Sequence, residues 1–460
     1  MSPTATAAAP LSSSMSARTR RLLEDPVAPT LLRLAAPNVL VMVLQAVLTT
    51  LDAVFVGWLG SAALAGVSLV YPLVMLMQTM SAGGMGGGVA SAVARALGAG
   101  RRAEAQALAA HAVLIALVMA ALFTGGLLLG GPWVYRAMGG TSETLEAAVT
   151  YSHVIFGGAV VYWLVNTLSS IVRGTGTMAL PAAVMASSAI IYLALAPALV
   201  LGWGPFPRLG IAGTATANVA AFGSAALVLA IYLCSPRSTV RLSFRGLRLR
   251  RELFWEILRV GAPGSLNTIL TNLTVVLMTG LVGPFGTAAL AGYGMGARLE
   301  YLQIPLVFGM GSALVAMVGT NVGAGQLARA ERIAWTGAGL AAAGTASIGL
   351  LAAAFPRVWL GLFTSDPHVQ AVGATYLLIV GPTYGFFGLG LALYFASQGA
   401  GRLAWPLTGG FLRLGVAAAG GWLAGYWLGG GLPGIFAAMA IALIVFGSTI
   451  AAAVKLGAWR

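Results

Sequence analysis

The sequence predicts an all-α integral membrane protein, with twelve transmembrane helices arranged as two homologous six-helix lobes related by a pseudo-twofold axis along the membrane normal. Three observations predict it. Of 460 residues, 59% are hydrophobic and only 8% are charged, against about 25% charged in an average soluble domain. The chain repeats itself at a nearly constant offset. Its basic residues gather on one side of the predicted spans. Mean hydropathy is +0.91, so too few ionised groups remain to coat a soluble surface. An ordinary cytosolic enzyme is thereby excluded. The net charge of +14 sits on no hydrophilic domain, which excludes nucleic acid as a partner.

The repeat fixes the architecture. Leu32-Arg33-Leu34-Ala35-Ala36-Pro37 matches Leu258-Arg259-Val260-Gly261-Ala262-Pro263. Gly57, Gly60 and Ala62-Ala63-Leu64-Ala65-Gly66 match Gly283, Gly286 and Ala288-Ala289-Leu290-Ala291-Gly292 at the same offset. Further along, Gly98-Ala99-Gly100 pairs with Gly323-Ala324-Gly325, Tyr151 with Tyr376, and Pro181 with Pro406. Arg173-Gly174-Thr175-Gly176 likewise pairs with Gln398-Gly399-Ala400-Gly401. So many matches in one order are hard to attribute to shared apolar composition.

Along the chain, residues 1–30 read as a disordered cytoplasmic tail, of which 1–23 are rich in Ala, Ser, Thr and Pro and end in Arg18, Arg20 and Arg21. No short apolar segment follows that would mark a signal peptide. The N-lobe, 31–234, carries apolar runs near 34–57, 66–92, 103–130, 147–171, 179–202 and 211–234. The C-lobe, 256–460, carries them near 256–282, 289–320, 332–355, 370–396, 403–428 and 433–456. Each suits the ~20 residues that a spanning helix needs. Gly-Gly-Pro at 130–132 and Gly-Pro-Phe-Pro at 204–207 punctuate them. An even number of spans gives both lobes the same orientation, an arrangement that transporters use.

Of 25 basic residues, Arg136, Arg208 and Arg357 fall in the outer loops, and Arg298 and Arg413 fall within spans. The rest lie on the side of the termini. This positive-inside pattern places both termini in the cytoplasm of a bacterial inner membrane. The linker, 235–255, interleaves Arg237, Arg241, Arg245, Arg248, Arg250 and Arg251 with Leu242, Phe244, Leu247 and Leu249. It reads either as a basic stretch on anionic headgroups or as a loop that only enforces topology. The 63 glycines suit closely packed membrane helices. The single cysteine, Cys234, excludes an internal disulfide framework, and His111, His153 and His368 share no metal-ligand spacing. No metal or cofactor is expected.

The segment Leu51-Asp52-Ala53-Val54-Phe55-Val56-Gly57-Trp58-Leu59-Gly60, followed by Ala62-Ala63-Leu64-Ala65-Gly66, resembles the first-helix signature of MATE (multidrug and toxic compound extrusion) transporters. Asn321-Val322-Gly323-Ala324-Gly325 with Arg329-Ala330-Glu331-Arg332, and Leu209-Gly210-Ile211-Ala212-Gly213-Thr214-Ala215, are similar to that family as well. The resemblance covers about residues 30 to 456. It implies a polyspecific efflux antiporter with two lobes forming a V, driven by sodium or protons. Its partners would be the bilayer and lipophilic, often cationic small molecules, and it would act as a monomer.

Two acids, Asp52 and Glu300, fall inside spans. An ionised carboxylate there costs roughly 2.5–3.5 kcal/mol on insertion scales, so such residues usually face a cavity and serve a pathway. The family's first-helix acid falls on Asp52. An acid that is protonated in one conformation and ionised in another couples proton flow to conformational change. The competing reading is a structural aspartate locked by hydrogen bonds. Pro37, about four turns earlier, permits a kink. The resemblance suggests that this helix bends as the acid changes state; a fixed kink is the alternative.

Members of the DinF-like branch carry Asn and Asp four apart before a proline in the fifth span. Here those positions are Tyr192 and Ala196, before Pro197. The NorM-like branch has a glutamate in the seventh span, where Leu270-Thr271-Asn272-Leu273 carries no acid. The chain reads as closer to the DinF-like branch, and proton coupling is favoured over sodium. Asn166, Tyr192 and Asn218 are the candidate hydrogen-bond partners of Asp52, or else ordinary inter-helix contacts.

Glu300 lies two residues after Arg298, too far around a helix to pair with it. It is either a second protonatable or cation-binding site or part of a buried ion-pair network. Gly83-Gly84-Met85-Gly86-Gly87-Gly88 would let the second span bend or pack tightly; it lacks the lysine of a phosphate loop. Gln78, Gln303, Tyr71, Tyr293 and Tyr301 lie in the paired second helices. Three other classes fit less well. The loop after the second span, Ala94 to Arg102, lacks the acid of a major-facilitator signature. Few intramembrane arginines argue against a flippase for lipid-linked precursors. No nucleophile–base set supports an intramembrane enzyme.

Overall fold

The computed structural model describes residues 16–459, except for the side chains of Ala46, Val47, Thr49, Thr50, Ala53 and Tyr301. The described residues form helices and connecting loops, with no strand among them. Seventeen α-helices follow one another: α1 (Ala17–Glu24), α2 (Val27–Gly57), α3 (Ser61–Thr79), α4 (Gly86–Gly98), α5 (Arg102–Ala137), α6 (Ser142–Gly157), α7 (Ala159–Gly174), α8 (Ala179–Leu201) and α9 (Ile211–Cys234). Then come α10 (Arg251–Val282), α11 (Thr287–Gly323), α12 (Leu327–Ala354), α13 (Pro356–Leu360), α14 (Pro367–Val380), α15 (Tyr384–Ala400), α16 (Ala404–Gly415) and α17 (Gly431–Lys455).

Ten helical segments are long and apolar enough to cross a membrane, and α6 with α7 makes an eleventh span bent by 45°. The remaining predicted span, 403–428, is helical over 404–427 but carries π turns at Val416–Gly420 and Leu423–Trp427. This layout accords with twelve spans in two lobes. The helices outrun the apolar segments that announce them. The second span continues to Gly98 and the eighth to Gly323, because their last turns bury against the opposite lobe and not in lipid.

The backbone reproduces the sequence repeat. Gly60 (φ 102°, ψ 174°) and Gly286 (φ 100°, ψ 173°) both precede the second helix of their lobe. Only glycine adopts that geometry cheaply, which is why both positions hold it. Gly100 and Gly325 share φ values of 74° and 75°, and Gly176 and Gly401 share 79° and 77°.

The N-terminal segment departs from expectation. Residues 1–15 of the predicted tail lie outside the described residues, but 16–30 are ordered. Ser16 caps α1 by accepting from the Thr19 amide at 3.1 Å. Leu22 and Leu23 are buried, and Asn321 Nδ2 donates to the Leu22 carbonyl at 3.0 Å. The Ala/Ser-rich composition hid two adjacent leucines whose burial holds this turn in place.

Each lobe begins by reaching into the other. In α2, Val39 packs on Gly309 of α11, and Asn38 Nδ2 donates to Ser312 Oγ at 2.6 Å. Farther along α2, Leu48 and Phe55 pack with Tyr192, Ala196 and Leu199 of α8. In α10, Gly261 meets Met85 and Gly264 meets Gly84, both of the N-lobe, whereas Met278 joins the C-lobe core. The glycine run 83–88 accommodates this crossing. It both bends, as a π turn at Met80–Met85, and packs. A Cβ on Gly88 would stand 2.7 Å from the Gly261 nitrogen.

The linker contains no helix before Arg251 and is tied to the N-lobe. Arg102 Nε donates to the Thr239 carbonyl at 2.9 Å, and the Arg250 amide donates to His111 Nε2 at 3.0 Å.

Candidate functional site

Asp52 stands near the far end of α2, half-buried, and Tyr192 of α8 donates its hydroxyl to Asp52 Oδ1. Local packing fixes this pair. Tyr192 is buried among Ala196, Leu199, Ala217 and Ala221, small or slender residues that let α8 and α9 approach closely. Phe55, one turn beyond Asp52, brings its ring within 6.4 Å of Tyr192. No basic side chain pairs with Asp52 among the described residues.

A second layer surrounds the pair. Tyr162 of α7 donates to Asn218 Oδ1 of α9 at 2.9 Å. Tyr151 of α6 and Tyr162 are both buried and lie within electrostatic range of Asp52. Asn166 serves another place, donating to Ser81 Oγ at 2.7 Å and so bracing the π turn of the second span. Of the four expected residues, Asp52 and Tyr192 meet directly, Asn218 joins through Tyr162, and Asn166 stands apart. Tyr151 and Tyr162 were missed. Tyr151 did carry a signal, its repeat match with Tyr376.

The C-lobe holds its acid differently. Arg413 Nη2 of α16 donates to Glu300 Oε1 at 2.9 Å, with side chains only 8% and 10% exposed. Arg413 lies 5.5 Å from the Phe387 ring and 5.7 Å from that of Phe446. Tyr376 and Tyr384 are within electrostatic range of Glu300. The acid is thus ion-paired, and two phenylalanine rings flank its arginine. Arg298 points elsewhere, exposed, with its guanidinium 5.4 Å from the Phe363 ring centre. Gln303 is buried and donates to the Leu299 carbonyl at 3.2 Å. Tyr301's side chain lies outside the described residues. Pro37 is enclosed in the continuous helix α2, next to the interlobe contact at Asn38.

An interlobe seal, unread in the sequence, closes the end of the bundle nearest the termini. Ser91 donates to the Gln398 carbonyl at 2.5 Å, and Gln398 Nε2 donates back to the Gly83 carbonyl at 2.9 Å. Arg95 reaches Ser91 Oγ and, at 3.1 Å, Glu256 Oε2. Two glycines set the spacing. A Cβ on Gly98 would stand 2.0 Å from the Thr320 carbonyl oxygen, and one on Gly323 2.1 Å from that of Arg95. The lobes thus meet at one end, and the acid stands near the opposite end of the first span.

Known proteins share this organisation. The family model MatE matches residues 37–198 and 263–423, each match opening on one of the paired prolines. The chain is 28% identical over 382 residues to a FAD transporter of Shewanella oneidensis, covering 82% of each chain. It is 32% identical over 361 residues to a "Probable multidrug resistance protein NorM" of Deinococcus radiodurans, covering 73% of this chain and 74% of that one. Among solved structures, a MATE transporter in the bent conformation aligns with TM-score 0.88 at 23% identity, covering 96% of this chain and 99% of that one. The outward-facing conformation of a multidrug resistance MATE family transporter aligns with TM-score 0.85 at the same identity and coverage. These structures share the fold. Matched in both halves, the chain is a multi-pass membrane transporter, not an enzyme, and belongs to the MATE family.

Proposed function

We propose that this transporter is a secondary antiporter that exports lipophilic, often cationic compounds in exchange for protons, the lobes alternating in access and Asp52 carrying the proton. The observation behind this reading is the contrast between the two intramembrane acids. Glu300 is held by Arg413, whereas Asp52 meets the neutral hydroxyl of Tyr192. A carboxyl without a fixed countercharge is free to change protonation between conformations, and that change is what couples an ion to a structural transition.

Sodium is the alternative. It requires several oxygen ligands, and one candidate amide oxygen, Asn218 Oδ1, already accepts from Tyr162. The cargo class rests on the family and on relatives named for multidrug resistance. The concentration of basic residues at the terminus end supports an inner-membrane location with both termini cytoplasmic.

Transport in proteoliposomes under an imposed pH or sodium gradient tests the reading. A lipophilic cation dye and FAD, the cargo named for the Shewanella relative, serve as substrates. Dye transport should follow the pH gradient in wild type and collapse in Asp52→Asn. Transport driven by sodium alone, or undiminished in the variant, would refute proton coupling at Asp52.

A further inference from the structure

A cavity of about 390 Å³ opens at the terminus end of the C-lobe, between the start of α10, the α15–α16 turn and the last turns of α17. Arg259 and Arg402 lie on its walls, and no acidic side chain lines it among the described residues. The nearby charge does not balance. Arg95 Nη2 and Arg259 Nη2 both bond the same oxygen, Glu256 Oε2, at 3.1 and 2.7 Å. One carboxylate thus serves two guanidiniums, and Arg402 adds a further positive charge to the same lining.

Apart from Ser397, whose hydroxyl accepts from Trp459 Nε1 at 3.2 Å, the remaining lining is mostly apolar, and the cavity lies at the membrane surface. The cavity sits where α10 and α16 begin and α17 ends, which is the level of headgroups for a spanning helix. Trp405 is 52% exposed there, as indoles are at membrane–water interfaces. Leu407, within α16, and Ile450, within α17, continue the wall inward along the helices. The first turn of α16 adds the positive end of its dipole.

We propose that this cavity binds the phosphate-bearing headgroup of an anionic phospholipid, with Arg259 and Arg402 taking the phosphate and Trp405 the glycerol level. A free phosphate ion shares the charge but gains nothing from the apolar wall. The site is separate from Asp52, and it stands whether or not protons drive transport.

Native mass spectrometry of the full chain, extracted from nanodiscs of mixed phosphatidylglycerol and phosphatidylcholine, tests it. Wild type should retain phosphatidylglycerol in preference to phosphatidylcholine. At about 1 kcal/mol per arginine near a membrane surface, Arg402→Ala should weaken that preference roughly fivefold, and Arg259→Ala with Arg402→Ala roughly 25-fold. Arg402→Lys should keep it. The linker variant Arg245→Ala with Arg248→Ala should leave it unchanged. Equal retention of both lipids by wild type, an unaltered preference in Arg402→Ala, or an equal loss in the linker variant would overturn the proposal. So would displacement of the lipid by millimolar inorganic phosphate, which would mark a site for free anions.

Discussion

Removing the Glu300 carboxylate should destabilise the protein while sparing its coupling. The pair with Arg413 is 2.9 Å long and both side chains are about nine-tenths buried. Leaving one member of such a pair alone costs about 3–5 kcal/mol. Two features soften the cost of Glu300→Gln: the amide can still accept a hydrogen bond, and the rings of Phe387 and Phe446 cushion the guanidinium at 5.5 and 5.7 Å. Contacts of that kind contribute about 0.5–2 kcal/mol, so the expected loss is about 3 kcal/mol. Replacing both partners, as Glu300→Gln with Arg413→Met, removes the orphaned charge and should return stability to within about 1 kcal/mol of wild type. Unfolding in mixed micelles across the four proteins of this double-mutant cycle reads the coupling energy directly. Dye transport under a pH gradient is measured alongside. If Glu300→Gln unfolds like wild type yet abolishes transport, the carboxylate serves ion or substrate chemistry and the argument for a structural pair fails. A double variant no better than the worse single would fail it too.

Three further outcomes follow from other parts of the molecule. Tyr192→Phe deletes the hydroxyl that donates to Asp52; a hydrogen bond to a charged group is worth about 1.5–3 kcal/mol. Proton-driven transport should therefore slow about tenfold or more, and an unchanged rate would remove Tyr192 from the site. Gly323→Ala would bring a Cβ to 2.1 Å from the Arg95 carbonyl oxygen, a backbone atom that cannot swing aside. The seal should weaken by about 1–3 kcal/mol, read as faster labelling of a cysteine introduced between the lobes at that end; unaltered labelling would mean the helices do not meet there. Cys234, the single cysteine, is exposed at the end of α9. A membrane-impermeant maleimide should label it in inside-out vesicles and not in spheroplasts, and the reverse pattern would invert the proposed topology.

Much of the frame was readable because it is written twice. The matched prolines, glycines and tyrosines carry the two-lobe layout, and the φ angles of Gly60 and Gly286 show the physical constraint behind one such match. Asp52 stood out because an acid in an apolar run is costly. What escaped reading was tertiary. Glu300 and Arg413 are 113 residues apart, and no local periodicity links them. Tyr151 and Tyr162 look like ordinary aromatic packing until three helices gather them near Asp52. The order of α1 depends on the burial of Leu22 and Leu23 and on the bond from Asn321 of α11, which composition does not encode. Arg95 appeared only as one more topology-setting charge, yet it bridges the lobes.

The exchange of α2 and α10 bears on what joins the two halves of the chain. By sequence, each helix belongs to its own half. By packing, Val39 of α2 rests on Gly309, and Gly261 of α10 rests on Met85. The halves are therefore clasped, each holding the other's leading helix, and the covalent linker is not their principal tie. A chain cut within the linker should still assemble from two co-expressed fragments. In the proposed alternation the same clasp sets a limit on travel: the lobes would tilt only as far as two shared helices flex, so the stroke would be bounded by the stiffness of α2 and α10.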